Sequence, residues 1–235
     1  MRENRNNGRC RLVPTSNQTF EIAGEGECNF ASVLSRSYEL QGQGRFEEAC
    51  NLRFQAFQRL AAVIPDDGET LLEWGHRNTQ AALELLRATA VDHFLAGDTE
   101  MAEAMLELLL DLDPEDHTGS VALLGFCYVA SGEYELFDEI SMDIADTQAE
   151  KHILRLWRRF RESGELEPES LRTLRERFGA YYEEFRRADH PTDAGFVSDL
   201  ESERPSRAAL ARELWLRTEH LWAREPQFIE ALKNA

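Results

Sequence analysis

From Phe30 onward, apolar residues recur at three- and four-residue steps, with polar residues filling the opposite side of each turn. That period belongs to amphipathic helices packed on a common core. It predicts helices over roughly 30–41, 45–63, 69–96, 99–112, 118–131, 133–145, 148–163, 168–187 and 205–223, with a short one at 226–233. The punctuation between them agrees. Gly42 and Gly44 end the first, Pro65-Asp-Asp-Gly68 separates the second from the third, and Asp113-Pro114 stops the fourth. Gly97-Asp98 closes the third, with Asp98 placed to cap the next helix. Residues 188–204 form the longest expected loop, and Pro205 suits the first turn of the helix after it.

Residues 1–29 break the pattern. Rich in Asn, Gly, Ser and charge around a β-like island at Thr19–Ile22, they read as a poorly ordered polar arm. No long alternating run of β-branched residues follows, so a sheet is not expected. The class is all-α, with one domain over 30–235. Residues 30–146 are repeat-like and 147–235 form a C-terminal helical cap.

The repeat has an offset of 35 residues. Ala90 stands seven residues before Gly97-Asp98, and Gly125 seven before Gly132-Glu133. Each unit places a small residue inside a first helix, Gly plus an acid at the turn, and then a second helix. Small residues let antiparallel helices approach, and Gly permits the turn. The stretch from Tyr38 through Gly44-Arg-Phe-Glu-Glu-Ala49 to Ala56 shows the same arrangement with a longer turn.

Over 83–146, and more loosely over 31–63, this resembles the tetratricopeptide repeat (TPR). Trp74-Gly75-His76-Arg77-Asn78 ahead of Leu112-Asp-Pro-Glu-Asp116 is also similar to a wider group of bacterial repeat proteins. The TPR resemblance implies an α-α superhelix, a solenoid of antiparallel helix pairs with C-terminal capping helices, acting as a protein-interaction (scaffold/adaptor) module. In such stacks the first helix of each pair lines a concave groove. The resemblance therefore assigns Glu84, Arg87, Val91, Phe94, Phe126, Val129 and Ala130 to a mostly apolar partner groove. It turns the second helix outward, with Glu100, Glu103, Glu107 and Asp111 as an acidic face. Phe137 stands where the repeat wants a small residue, which predicts a splayed second pair. After residue 147 the helical period continues without the signature. Ile153, Leu154, Trp157 and Phe160 form one apolar stripe and Leu210, Leu214, Leu221 and Trp222 another, suited to covering the solenoid's open end.

Charge adds a location. The chain carries 44 acidic and 26 basic residues, net −18, yet residues 88–150 alone hold 16 acids and no Lys or Arg. Residues 151–235 are balanced at 16 of each. Such a field repels nucleic-acid backbones and anionic membranes and steers basic partners inward. A protein or peptide partner, basic in character, is the expectation. A groove clamp for a partner's C-terminal carboxylate needs cations that the best-matching repeats lack. The polar start and the absence of any apolar run near the roughly 18 residues of a membrane span lead to an expected cytoplasmic location. Cys10, Cys28, Cys50 and Cys127 form no CxxC pair and read as free thiols.

No catalytic motif, cofactor fingerprint or metal-ligand spacing emerges. Asp111-Leu-Asp113-Pro-Glu115 begins like a calcium loop, but Asp116 and Ala122 occupy the places that need Gly and a bidentate carboxylate. The six histidines form no metal pair. Asp189-His190-Pro-Thr-Asp193 could set carboxylates against an imidazole, the remote hydrolase-like alternative, although no nucleophile accompanies it. The arginines and aromatics interleaved over 172–187 are offset by Glu176, Glu183 and Glu184, and read as core plus helix-surface ion pairs rather than a nucleic-acid platform. Beside the interaction module stands one structural alternative, a self-contained or homo-oligomerising protein whose groove is filled by its own C-terminal helices.

Overall fold

In the computed structural model, residues 10–65 and 68–235 are described; residues 1–9 of the expected arm and Asp66–Asp67 of the expected turn lie outside them. The chain is mostly helical and divides into two compact units, Met1–Leu124 and Gly125–Ala235. The division falls inside a helix, not at residue 147 where the repeat signature stops.

In the first unit, residues 10–29 are paired rather than loose. β1 (Arg11–Pro14) runs antiparallel to β2 (Thr19–Ala23), with Leu12 opposite Ile22, and β2 lies parallel to β3 (Leu71–Leu72). This three-stranded sheet corrects the expected arm and the expected absence of a sheet. It also displaces the first turns of the helix expected from residue 69. Leu71 donates its N–H to the Gln18 carbonyl at 3.0 Å and Glu73 to that of Phe20 at 2.9 Å. Backbone committed to a ladder is unavailable to a helix.

The third helix therefore begins later. The first three are α1 (Phe30–Gly42), α2 (Phe46–Ala61) and α3 (Arg77–Leu95). At the start of α3, the Asn78 amide donates to the Ile22 and Cys28 carbonyls, both at 3.1 Å, while its oxygen accepts the Phe30 N–H at 2.8 Å. The buried Thr79 hydroxyl accepts the Ile22 N–H at 2.8 Å. Two adjacent polar side chains thus fasten β2 and the start of α1 to α3. Deeper in, Arg53 on α2 is 1 % exposed and forks onto Asp92 of α3 at 2.7 and 2.8 Å.

α4 (Thr99–Leu112) completes this unit, its Asp98 cap accepting the Met101 N–H as expected. α1 and α3 end alike. The N–H of Arg45 bonds the Leu40 carbonyl at 2.9 Å behind Gly44 (φ 74°), and that of Asp98 bonds the His93 carbonyl at 3.0 Å behind Gly97 (φ 79°). In the second unit Glu133 repeats the bond to Tyr128 at 2.9 Å behind Gly132 (φ 87°). Left-handed backbone would cost another residue about 1–2 kcal/mol, which is why glycine recurs there.

The second unit holds most of α5 (Val121–Ser131), then α6 (Tyr134–Ile140), α7 (Ala149–Ser163), α8 (Pro168–Arg177), α9 (Gly179–Phe185), α10 (Ala194–Leu200), α11 (Arg207–Arg224) and α12 (Pro226–Asn234). The helix expected over 168–187 breaks at Phe178 (φ −125°, ψ 38°), whose ring turns toward His152 at 5.0 Å before Gly179 restarts the helix. The expected loop at 188–204 contains α10, capped by Asp193, which accepts the Phe196 N–H at 2.9 Å.

The core of this unit is aromatic. Trp157 meets Trp222 edge-on at 5.0 Å; Phe126 lies 6.3 Å from Trp222, and Phe228 lies 5.5 Å from it. Glu225 accepts the Trp157 indole N–H and pairs with Arg161, each at 2.9 Å. Arg161 in turn donates to the Val129 and Ala130 carbonyls, satisfying the open end of α5. A β-carbon on Gly125 would stand 2.9 Å from a Leu154 methyl and 3.5 Å from the Phe137 ring. The bulk of Phe137, unexpected for the repeat, is thus taken up by the bare backbone facing it.

Candidate functional site

The residues expected in a groove differ in exposure. Of the residues assigned to a partner groove, Phe94, Phe126 and Val129 are buried, and Glu84, Arg87, Val91 and Ala130 are half-buried. Phe126 is covered by Trp157 and Trp222, with ring centroids at 6.4 and 6.3 Å. Its 2 % exposure leaves no open apolar surface at that position. The physical reason is supply: α7 and α11 offer tryptophans that bury large apolar area against it.

The acidic face assigned to α4 is uneven. Glu100 and Asp111 are exposed, but Glu103 and Glu107 are half-buried and each has a hydrogen-bonding or electrostatic partner.

The two short motifs at 74–78 and 112–116 meet in space. Trp74 stacks on His117 at 4.9 Å with ring planes 7° apart, and His117 Nδ1 lies 2.7 Å from the buried carboxylate of Asp113. That hydrogen bond holds the His117 imidazole charged above its ordinary range. Asp116, at φ 48°, accepts the Ser120 and Val121 N–H groups at 2.6 and 3.1 Å and starts α5. His76 pairs with Glu21, and Asn78 clasps β2 and α1. Every member of the motif with a polar partner spends it on building the unit.

His190 is also structural in its contacts. Its Nδ1 bonds Glu184 at 2.9 Å and its ring stacks on Trp215 at 4.0 Å. Asp189 and Asp193, the sequence candidates for its orienting partners, do not serve: Asp193 caps α10. Burial acts to raise the Glu184 carboxyl, but hydrogen bonds from Arg212 and His190 outweigh it and hold the group below the usual carboxylate range. Among the aromatics interleaved with arginine, Tyr182 and Phe185 are buried, and Arg175 and Arg186 lie over the Tyr182 ring at 5.1 and 4.8 Å.

The acid-rich stretch also leaves open the outer face of α6. Helical geometry sets Glu135, Leu136 and Glu139 away from Phe137, which is 1 % exposed. Glu133 precedes them, and Met142 and Asp143 follow in the next turn. Leu136 is 37 % and Met142 76 % exposed. Among the described residues, none of Glu133, Glu135, Glu139 and Asp143 lies at ion-pair distance from a cation. Sequence reasoning placed these acids in the charged stretch but missed the face. The available signal was Phe137, the buried anchor of a short helix otherwise rich in acids.

Among the described residues, no group of three or more His, Cys, Asp and Glu could hold a metal ion, and no helix is long and apolar enough to cross a membrane. The chain matches no protein-family model, and no curated protein or solved structure shows significant similarity to it.

Proposed function

We propose that the protein is a non-enzymatic interaction module of TPR-like type that takes a basic protein segment on the outer face of α6. One observation carries this reading: Glu133, Glu135, Glu139 and Asp143, exposed and without ion-pair partners among the described residues, lie within a few residues of the exposed Leu136 and Met142. A basic amphipathic segment matches both features. Its charges are drawn in by the surrounding field, and its apolar side covers Leu and Met. The glycine-closed ends of α3 and α5, 35 residues apart in sequence, support the TPR-like type.

The partner surface differs from the groove expected from the repeat resemblance. Phe126 under Trp157 and Trp222 favours the alternative in which that interior is filled by the chain's own C-terminal helices, and both readings hold together if the partner stays outside. The test is a fluorescence titration of the full chain with an amphipathic Lys/Leu peptide. A double Glu135→Lys, Glu139→Lys variant and a Met142→Asp variant should each weaken binding about tenfold or more, and added salt should weaken it in the parent. Equal affinity in all three proteins would sink the proposal.

A further inference from the structure

On the inner side of α6, beyond Phe137 and Asp138, α7 and α8 border a cleft of about 500 Å3. His152, Arg155 and Arg159 stand at i, i+3 and i+7 on one face of α7, and Arg177 reaches the same space from the end of α8. The charges here are unequally engaged. Arg158 is tied to Asp138 at 2.9 Å and Glu162 at 3.5 Å; Arg159 comes no nearer than 3.8 Å to Glu162. Asp146 is held by Lys151 at 2.7 Å, Glu167 accepts the Ser170 hydroxyl, and Glu169 lines the same cleft without a cation at ion-pair distance among the described residues. Arg155 and Arg177 have no carboxylate at ion-pair distance among the described residues. In a chain of net charge −18, two guanidinium groups without such partners face one cavity.

We propose that this cleft binds a small phosphomonoester, with Arg155 and Arg177 gripping the phosphate beside His152. Guanidinium forks match the oxygens of a phosphate in pairs, and a dianion balances two of them where a carboxylate balances one. The cleft lies within the ordinary size of ligand sites and exceeds a bare phosphate, leaving room for an organic body. His152 is 7 % exposed. Burial and the nearness of Arg155 and Arg177 push its imidazole below the ordinary range, against the pull of the Asp146 carbonyl and carboxylate. The three groups therefore share a field that an added anion relieves. The site is independent of the outer face of α6, so either proposal can fail alone.

The experiment follows the His152 ring by NMR during titration of the full chain. Its arms are inorganic phosphate, glycerol phosphate and sulfate at matched ionic strength. Both phosphates should move the His152 titration to higher pH, glycerol phosphate at lower concentration than inorganic phosphate, and sulfate least. Arg155→Gln and Arg177→Gln should each weaken the phosphate effect roughly tenfold, while Arg172→Gln, outside the cleft, should not. A His152 titration indifferent to all three anions overturns the proposal. So does equal response to sulfate and the ester, or a phosphate response that survives both arginine substitutions.

Discussion

α4 and α6 come from the same stretch of sequence, where acids are dense and cations absent, yet they use their acids differently. On α4, Asp98 caps the helix, and Glu103 and Glu107 are half-buried with partners of their own. On and around α6, Glu133, Glu135, Glu139 and Asp143 are exposed and lack ion-pair partners among the described residues. A short helix fixed by one deep residue, Phe137, turns the rest of its surface outward. A longer helix with Ala102, Met105, Leu106, Leu109 and Leu112 buried brings Glu103 and Glu107 partly inward and leaves only Glu100 and Asp111, toward its ends, exposed on that face. Charge along a chain therefore gives the total field, while the availability of each acid depends on how many core positions its helix must fill.

The largest way to break this contrast is to remove the support beneath the second unit. Trp222→Ala should cost about 3–5 kcal/mol in urea unfolding, because it leaves a cavity against Phe126, Trp157 and Phe228. A loss below about 1 kcal/mol would show that α11 is not what covers Phe126.

In the first unit, Arg53→Ala should cost a similar 3–5 kcal/mol by stranding the Asp92 carboxylate, whereas Asp92→Asn combined with Arg53→Met should recover most of it. A double change as harmful as the single one would locate the loss in packing rather than in charge.

The two helices can be compared directly. Glu103→Gln with Glu107→Gln on α4 should destabilise by about 1 kcal/mol, since half-buried acids with partners lose part of those interactions. Glu135→Gln with Glu139→Gln on α6 should stay within about 0.5 kcal/mol of the parent. Equal losses in thermal unfolding would remove the distinction.

The smallest effects are read through pH. Glu184 has a depressed folded-state pKa, so its contribution is present above the unfolded carboxylate range and fades as pH falls through the folded value. Glu184→Gln should flatten the acid limb of the stability profile. His117 has a raised value, so its contribution is present below the unfolded imidazole range and fades as pH rises through the folded value. His117→Gln should flatten the shallow loss of stability as pH rises above the ordinary imidazole range, and slopes of the opposite sign would contradict both assignments.

Much of the helical layout was legible in sequence because apolar period, caps and glycine turns act locally. Gly97-Asp98 and Gly132-Glu133 were read correctly as boundaries for that reason, whereas Pro205 lies just outside the helix it was expected to open, which Ser206 caps. Trp74-Gly75-His76-Arg77-Asn78 was recognised as a motif, but its use was not. Asn78 acts on Ile22, Cys28 and Phe30, about 50 residues away, and periodicity carries no information about such bonds. The small sheet was missed for the same reason, since β3 is two residues long and exists only because β2 lies beside it.

By itself, the sequence determined that the chain is mainly helical, where most helices turn, and that the acid lies between residues 88 and 150. Each of these depends on neighbours within a few turns. Only the tertiary structure decided that Phe126 lies under Trp157 and Trp222, that His190 answers to Glu184, and that Arg155 and Arg177 face one cleft. Those outcomes depend on which helix faces arrive at the same place, and that is settled by packing across dozens of residues rather than by the pattern along any one of them.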